Sequence, residues 1–295
     1  SIQFFFSSQS SIEVLRGNKH SFIEQFREAS KYINEFSNQI FVIAFSGDVI
    51  QDNQLETIVH DINLLQSLNI RVVIVHGIRP QIDQAINEVS SEIIVNNLRV
   101  TDQKTLEKVI DINARNRIKI ESALSSKTLD FSSEIKDTKV TSGNFITARP
   151  LGVIAGIDMQ FTGQIRRIDT MSIHNKLEHK EIVLISPLGF SPIGDIFNLP
   201  YEQTAAHVSS AIKADKLIYY INDNGILNLQ GNLISEMTTD KAENLIGNIE
   251  NSYSPKEAPY ISLSDFHILK SSMYAIKHNV PKVHLINRNI DGSII

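Results

Sequence analysis

The chain has 295 residues, 42% of them hydrophobic and 21% charged, with 28 Lys and Arg against 33 Asp and Glu for a formal net charge of −5. These values exclude disordered and collagen-like chains, the absence of any apolar run near about eighteen residues excludes a spanning helix, and the charge leaves no overall basic field for nucleic acid or anionic lipid. The lack of cysteine removes disulfide frameworks, thiolate zinc sites and cysteine nucleophiles, so stability rests on a core that at this length buries roughly three quarters of the unfolded surface.

The apolar triplet Phe4, Phe5, Phe6 has no basic region ahead of it and is too short for a signal peptide, which makes a cytoplasmic location the expectation. A start on Ser1 and an apolar end at Ile294-Ile295 suggest a fragment. From Ser21 to Phe36, the residues Phe22, Ile23, Phe26, Ala29, Tyr32 and Ile33 recur at three- and four-residue steps and predict an amphipathic helix. Its stripe has no evident internal partner, so a homo-oligomer is expected. Ile40 to Phe45 reads as a strand buried on both faces, Leu55 to Leu68 as a helix and Val72 to Val75 as a second buried strand, which together make a parallel βαβ unit. Pro80 opens a helix with Ile82, Ala85, Ile86 and Val89 on one face, and a longer helix after Thr101-Asp102 carries Leu106, Val109, Ile110 and Ile118. Between Val140 and Ile168, short extended stretches broken by Gly143, Gly152, Gly156 and Gly163 predict hairpins that project from the main sheet. Alternation then resumes with a helix over Asp169 to Leu177, a strand over Ile182 to Ile185, a helix over Glu202 to Ile212, a strand over Lys216 to Ile221 and a turn at Asn222 to Gly225. The polar stretch Thr238 to Pro259 is only weakly periodic and reads as loop, ahead of a helix over Leu263 to Lys277 and a strand over Lys282 to Ile286. The fold class is α/β, a three-layer sandwich around a mostly parallel sheet.

Ligands of open α/β sheets gather at the carboxyl ends of the strands. Four such places carry candidate residues. Ser46-Gly47-Asp48 follows the first core strand, and His76-Gly77-Ile78-Arg79-Pro80-Gln81 joins a strand to a helix start that can hold an anion, although either glycine could equally serve only a turn. Arg99, in Leu98-Arg99-Val100-Thr101-Asp102, either grips a carboxylate bidentately or pairs with Asp102. Asn198, in Phe197-Asn198-Leu199, offers an amide to a small polar ligand or caps the next helix. The histidines, among them His174, His179, His207, His267, His278 and His284, lack metal-ligand spacing, so no metal is expected, and no Gly-x-Ser-x-Gly follows any predicted strand.

The order Phe41 to Gly47, Val75 to Ile82, Leu98 to Asp102, Ser142-Gly143-Asn144-Phe145, Gly163 to Ile168 and Phe197-Asn198-Leu199 resembles the amino-acid-kinase-like domain of N-acetylglutamate synthase, from about residue 20 onward. The resemblance implies an arm and helix over residues 1–36 and a kinase-like domain over 37–295, with lobes at about 37–190 and 191–295. It also implies a parent protein that makes N-acetylglutamate from glutamate and acetyl-CoA in arginine biosynthesis, through a C-terminal acetyltransferase domain absent from this chain. By the same resemblance Arg99, Asn198 and the loop at Gly77 hold the carboxylates of glutamate or N-acetylglutamate, and His284, Asp291 and Gly292 begin a site for L-arginine as effector.

Against the sister enzyme, N-acetylglutamate kinase, the nucleotide loops are degenerate. Ala44 stands in the place of a lysine, Ser46 precedes Gly47 where paired glycines are expected, and Ile78 and Arg79 replace two glycines after Gly77. Glu202 stands for the aspartate that organises the catalytic lysines, and the second lysine falls near Ile268, with Lys270 two residues away. These departures leave the transferring phosphoryl group without its cations, so the chain is expected to have no catalytic residue and no cofactor of its own, with acetyl-CoA belonging to the parent enzyme. A kinase with atypical residues, Arg79 or Lys270 substituting for the missing lysines, and a free-standing arginine or acylamino-acid binding protein are the alternatives.

Overall fold

Runs of β-branched and aromatic residues build the centre of the molecule. The computed structural model describes residues 3–6, 35–52, 54–87, 93–95, 98–125, 138–222, 226, 234, 236–251 and 261–289. In chain order, β1 (Gln3–Phe6) is followed by β2 (Ile40–Phe45), the short α1 (Asp48–Gln51), α2 (Leu55–Ser67), β3 (Arg71–His76) and α3 (Arg79–Asn87). Next come the paired β4 (Ile94–Val95) and β5 (Leu98–Arg99), α4 (Gln103–Ser125), β6 (Val140–Ser142), β7 (Ile146–Pro150), β8 (Val153–Ile154), β9 (Ile157–Asp158) and β10 (Gly163–Ile168). The remainder is α5 (Thr170–Glu178), β11 (Ile182–Ile185), β12 (Leu188–Phe190), β13 (Ile196–Asn198), α6 (Tyr201–Ala211), β14 (Lys216–Ile221), β15 (Glu236–Thr238), α7 (Thr239–Asn251), α8 (Leu263–Lys277) and β16 (Lys282–Asn287).

Eight strands form the main sheet in the order β15-β1-β16-β14-β2-β3-β11-β6, every neighbouring pair parallel except β1 with β15. Strand alternation divides β2 between two cores. Ile40, Val42 and Ala44 face a layer containing Ala205 and Val208 of α6 and Ile268 and Leu269 of α8, while Phe41, Ile43 and Phe45 face Ile58 and Ile62 of α2 and Ile120 of α4. That is the expected three-layer sandwich. All of these β2 side chains are buried, and burying a large one contributes about 1.5–3 kcal/mol, which is why the central strands read as continuous apolar runs.

A second sheet, β10-β7-β12-β13, stands beside the first. It contains two of the extended segments expected to leave the main sheet, and the β8–β9 hairpin is a third feature of that region. The turn of this hairpin puts Ala155 at φ 50° and Gly156 at φ 80°, the conformation a two-residue hairpin loop needs. Val140–Ser142 departs from the expectation, because it pairs parallel with β11 and becomes an edge of the main sheet. The sequence pattern also missed β12 and β13, which are only three residues each.

Two helix readings need correction. The stretch taken as loop after Thr238 contains the helix α7, held by buried Ala242 and partly buried Leu245 and Ile246, a stripe too narrow to stand out among polar neighbours. In α4 the buried line runs through Leu106, Val109, Asn113, Asn116, Ile120 and Leu124, and leaves Ile118 57% exposed. Of the expected helix over Ser21 to Phe36 only Glu35 and Phe36 fall among the described residues, and Val89, Asp223 to Gly225 and the effector candidates Asp291 and Gly292 lie outside them. Among the described residues, no helix is long and apolar enough to cross a membrane.

Candidate functional site

Strands β2 and β3 end side by side, Phe45 opposite His76, so the turns at Ser46-Gly47 and Gly77-Ile78 meet at the carboxyl edge of the sheet. The Gly77 N–H donates to the Phe45 carbonyl at 2.7 Å. A Cβ on Gly77 would lie 2.9 Å from Tyr201 Cδ1 and 3.1 Å from Ser46 Cα, so the two turns can approach only because this residue is glycine. Gly77 therefore shapes the floor of the site, and its N–H is already engaged. The Gln81 side chain covers the other turn: its Nε2 donates to the Gly47 carbonyl at 2.7 Å, and a Cβ on Gly47 would collide with the carboxamide. Ser46 Oγ donates to Asp48 Oδ2 at 2.5 Å, which closes that turn on itself.

Ala44 is fully buried, between Val75 of β3 and Tyr219 of β14 in the register of the sheet. Tyr219 is also fully buried, and its hydroxyl donates to the Glu202 carbonyl at 2.6 Å. Glu202 also lines a cavity of ≈ 80 Å³, ≈ 580 Å³ counting its mouth, together with Ile78, Arg79, Arg99, Thr162 and Asn198 among others. The fold thus gathers five of the sequence candidates in one cleft, with Gly77 packed against its lining residue Tyr201, whereas Ala44, Ser46 and Gly47 are not among the lining residues. His284 sits on β16, two strands from β2, and is not among the lining residues.

Local structure explains each position. Arg99 ends β5 and forms an ion pair with Asp83 of α3, with side chains 9% and 41% exposed, so the alternative pairing with Asp102 is overturned. Asp102 instead caps α4: it accepts from the Thr105 N–H at 2.7 Å, and the Thr105 hydrogen bonds hold its carboxyl below the usual range. Thr162, which the sequence pattern did not single out, joins three segments. Its Oγ1 donates to the Arg99 carbonyl at 2.6 Å and accepts from the Thr101 N–H at 3.0 Å, while Asn198 Nδ2 donates to Thr101 Oγ1 at 3.1 Å. The residue stands directly before Gly163, where a Cβ would lie 2.5 Å from Phe197 Cβ and 3.2 Å from Leu199 Cδ2. That close approach brings β10 against the Phe197-Asn198-Leu199 strand, and a glycine after a threonine in an extended segment was the one available signal.

Burial moves two titratable groups of the site toward their neutral forms. Glu202, in the first turn of α6, is 6% exposed, and burial pushes its carboxyl up to about 7 against the opposing pull of its own backbone N–H and of Arg79. His76 is fully buried with Nε2 2.9 Å from Ser186 Oγ, and burial pushes it down to about 4, so it is a neutral hydrogen-bonding group at the base of the site. Arg79 lines the cleft and forms no hydrogen bond or ion pair among the described residues, and its charge acts on Glu202 and on His267. A second cleft of ≈ 430 Å³ between α6 and α8 is lined by Gln203, His207, His267, Lys270 and Tyr274, with Ile154 of the hairpin. Lys270 belongs to that cleft and is bonded to Glu250 at 2.6 Å. Among the described residues, no group of three His, Cys, Asp or Glu side chains could hold a metal ion.

Comparison with known proteins follows the same lines. The chain is 37% identical over 279 residues to an amino-acid acetyltransferase of Ralstonia nicotianae, and 35% identical over 277 residues to one of Ectopseudomonas mendocina. Each match covers 94% of this chain but only 59% and 62% of the relative, so the chain spans about three fifths of the length of these proteins. Among solved structures, N-acetylglutamate synthase from Neisseria gonorrhoeae complexed with coenzyme A and L-arginine superposes with a TM-score of 0.84 at 31% identity, over 92% of this chain and 62% of that one. Carbamate kinase from Giardia lamblia bound to AMP-PNP, 12% identical with a TM-score of 0.55, covers 85% of this chain and 92% of that one and shares the fold alone. Residues 39–287 match the amino acid kinase family, and with the βαβ core and the cleft at the ends of β2 and β3 this makes the chain a member of that family.

Proposed function

We propose that this chain is the regulatory and scaffolding amino-acid-kinase-like part of an N-acetylglutamate synthase, in which phosphoryl transfer has been lost and an acylamino-acid pocket kept. The observation that carries the reading is Ala44. Its methyl group lies fully buried where the kinase pattern requires a cation, and Tyr219 packs beside it. Without a cation at the strand end, charge that develops on a transferring phosphoryl group meets an apolar wall. Gln81 over Gly47 and the engaged N–H of Gly77 further reduce the row of open amides that a nucleotide phosphate or coenzyme pyrophosphate would need. We therefore assign acetyl-CoA and the acetyl-transfer step to a downstream acetyltransferase domain of the parent protein, as the names and lengths of the relatives support. Arg99 and Asn198 are the groups we assign to the ligand carboxylate and its neighbouring polar atom. L-arginine is the effector we assign to the region of His284, Asp291 and Gly292, following the ligand of the Neisseria protein.

An active kinase with substitute cations is the weaker reading, because Lys270 is bonded to Glu250 and faces the second cleft. The test is direct. The purified chain is expected to show neither ATP turnover dependent on N-acetylglutamate nor N-acetylglutamate formation from glutamate and acetyl-CoA, and a version extended by an acetyltransferase domain is expected to gain the second activity alone. ATP turnover that requires N-acetylglutamate and disappears in Arg99→Ala overturns the proposal, as does acetyl transfer by the 295-residue chain.

A further inference from the structure

We propose that Arg79 and Glu202 form a second carboxylate subsite in the cleft that holds Arg99 and Asn198, so that the cleft selects an acylated amino dicarboxylate and draws a proton onto Glu202 as it binds. The inference rests on the reading of this cleft as an acylamino-acid pocket and names what that pocket distinguishes.

Three observations support it. Two guanidinium groups line one cavity, and they are in different states. Arg99 is already oriented by Asp83, whereas Arg79 forms no ion pair among the described residues and is left to meet a ligand. A single carboxylate needs only one such fork, so a second arginine in the same cavity suits a second carboxylate. The third observation is Glu202. It lines the same cavity and is nearly inaccessible to solvent, and a carboxyl group there repels a bound carboxylate if ionised but donates a hydrogen bond to it if protonated. Its surroundings favour the protonated form. On α6 and β14 it faces the buried phenols Tyr201 and Tyr219, with the charges of Asp48 from α1 and Asp265 from α8 acting on Tyr201. The cation acting on Glu202 is Arg79 of α3, which a ligand carboxylate would partly neutralise. Burial already raises Glu202 to about 7, and an anion beside it raises it further, so binding near pH 8 takes up close to one proton and binding near pH 6 takes up little.

Calorimetric titration of the 295-residue chain with N-acetyl-L-glutamate, N-acetyl-L-glutamine and 4-acetamidobutyrate, in HEPES and in Tris at pH 6 and pH 8, tests this. The two monocarboxylates each keep one of the acid groups, and the buffer pair reads the protons exchanged. The dicarboxylate is expected to bind at least about tenfold tighter than either monocarboxylate, with proton uptake at pH 8. Arg79→Met should erase the preference, and Glu202→Gln should erase the uptake and the pH dependence of affinity, with melting curves confirming that both variants are folded. Equal affinity for all three ligands without proton exchange, or a preference that survives Arg79→Met, overturns the second subsite while leaving Arg99 and Asn198 as a carboxylate site. Failure of the wild-type chain to bind any of the three overturns the acylamino-acid reading itself, and this proposal with it.

Discussion

Replacing Glu202 by glutamine should stabilise the ligand-free chain at pH 8 and change it little at pH 5. The carboxyl titrates at about 7 in the fold against an ordinary value of 4.5, because it is 6% exposed and only Arg79 and its own N–H oppose the burial. A raised carboxyl value means that the contribution of Glu202 to stability is fully present below the unfolded value and is lost as pH rises through the folded one. At 1.36 kcal/mol per pH unit the loss amounts to roughly 3 kcal/mol by pH 8 and under about 1 kcal/mol at pH 5. Glutamine keeps the shape and cannot ionise, so Glu202→Gln avoids that loss. Buried histidines act in the opposite sense: His76 and His267 are pushed down to about 4 and His284 to about 3, so their contributions are lost as pH falls below 6.5. The raw stability curve mixes these effects, and the difference between variant and wild type isolates Glu202. Urea denaturation at half-unit steps from pH 5 to pH 8.5 should give a difference that grows with pH and levels off above about 7.5. Parallel curves over that range, or a Glu202→Gln chain less stable at pH 8, would refute the assignment of a buried, neutralised carboxyl.

Further outcomes follow from other parts of the molecule. Ala44→Lys should not create a kinase; it should instead destabilise the chain by several kcal/mol in urea denaturation, because an unpaired ammonium would enter a fully buried position beside Tyr219. Gly163→Ala should cost about 1–3 kcal/mol and weaken N-acetylglutamate binding measured by calorimetry, since the new Cβ pushes on Phe197 and thereby on Asn198. Self-association through the predicted N-terminal stripe should be abolished by Phe22→Asp with Phe26→Asp in sedimentation velocity. Point substitutions are needed because deleting residues 1–36 would also remove β1, which lies between β15 and β16 in the main sheet. A wild-type chain that sediments as a monomer sinks that expectation.

The parallel core was legible because its strands are buried on both faces. Ile40 to Phe45 and Val72 to Val75 carry no polar residue to confuse strand with loop, and the helices between them keep a wide apolar stripe. Legibility failed where the physical cause lies outside the local pattern. Among the described residues, the apolar contacts of α7 come from Ala242, Leu245 and Ile246, too few to show a period in a polar stretch. Strands β12 and β13 owe their existence to pairing with each other and with β7, and a three-residue segment has no period to read. In the site, Arg99 and Asn198 could be named from residue type and position after a strand. The partner of Arg99 could not, because Asp83 and Asp102 are both near in sequence and only the path of α3 decides between them. Thr162 was invisible for the same reason: it is a common residue whose importance comes from three segments meeting at the paired hydroxyls of Thr162 and Thr101.

Ala44 and the raised titration of Glu202 belong to one substitution pattern. A carboxyl at the start of α6 keeps its charge in a buried site only if cations stand beside it, since the desolvation of an isolated carboxylate costs several kcal/mol. In the kinase pattern two lysines supply that charge. In this chain one position is Ala44, and near the other is the buried Ile268, so neither place supplies a cation. Arg79, from the loop that departs from the glycine run, offsets part of the burial and leaves Glu202 near neutrality. A group that titrates near 7 beside an arginine without an acid partner responds to an anion far more readily than a fixed ion pair does, because binding then needs no salt bridge to break. On the proposed reading, the replacements that take cations away from a phosphoryl group also leave a cleft suited to sensing a carboxylate and reporting it as a change in local charge.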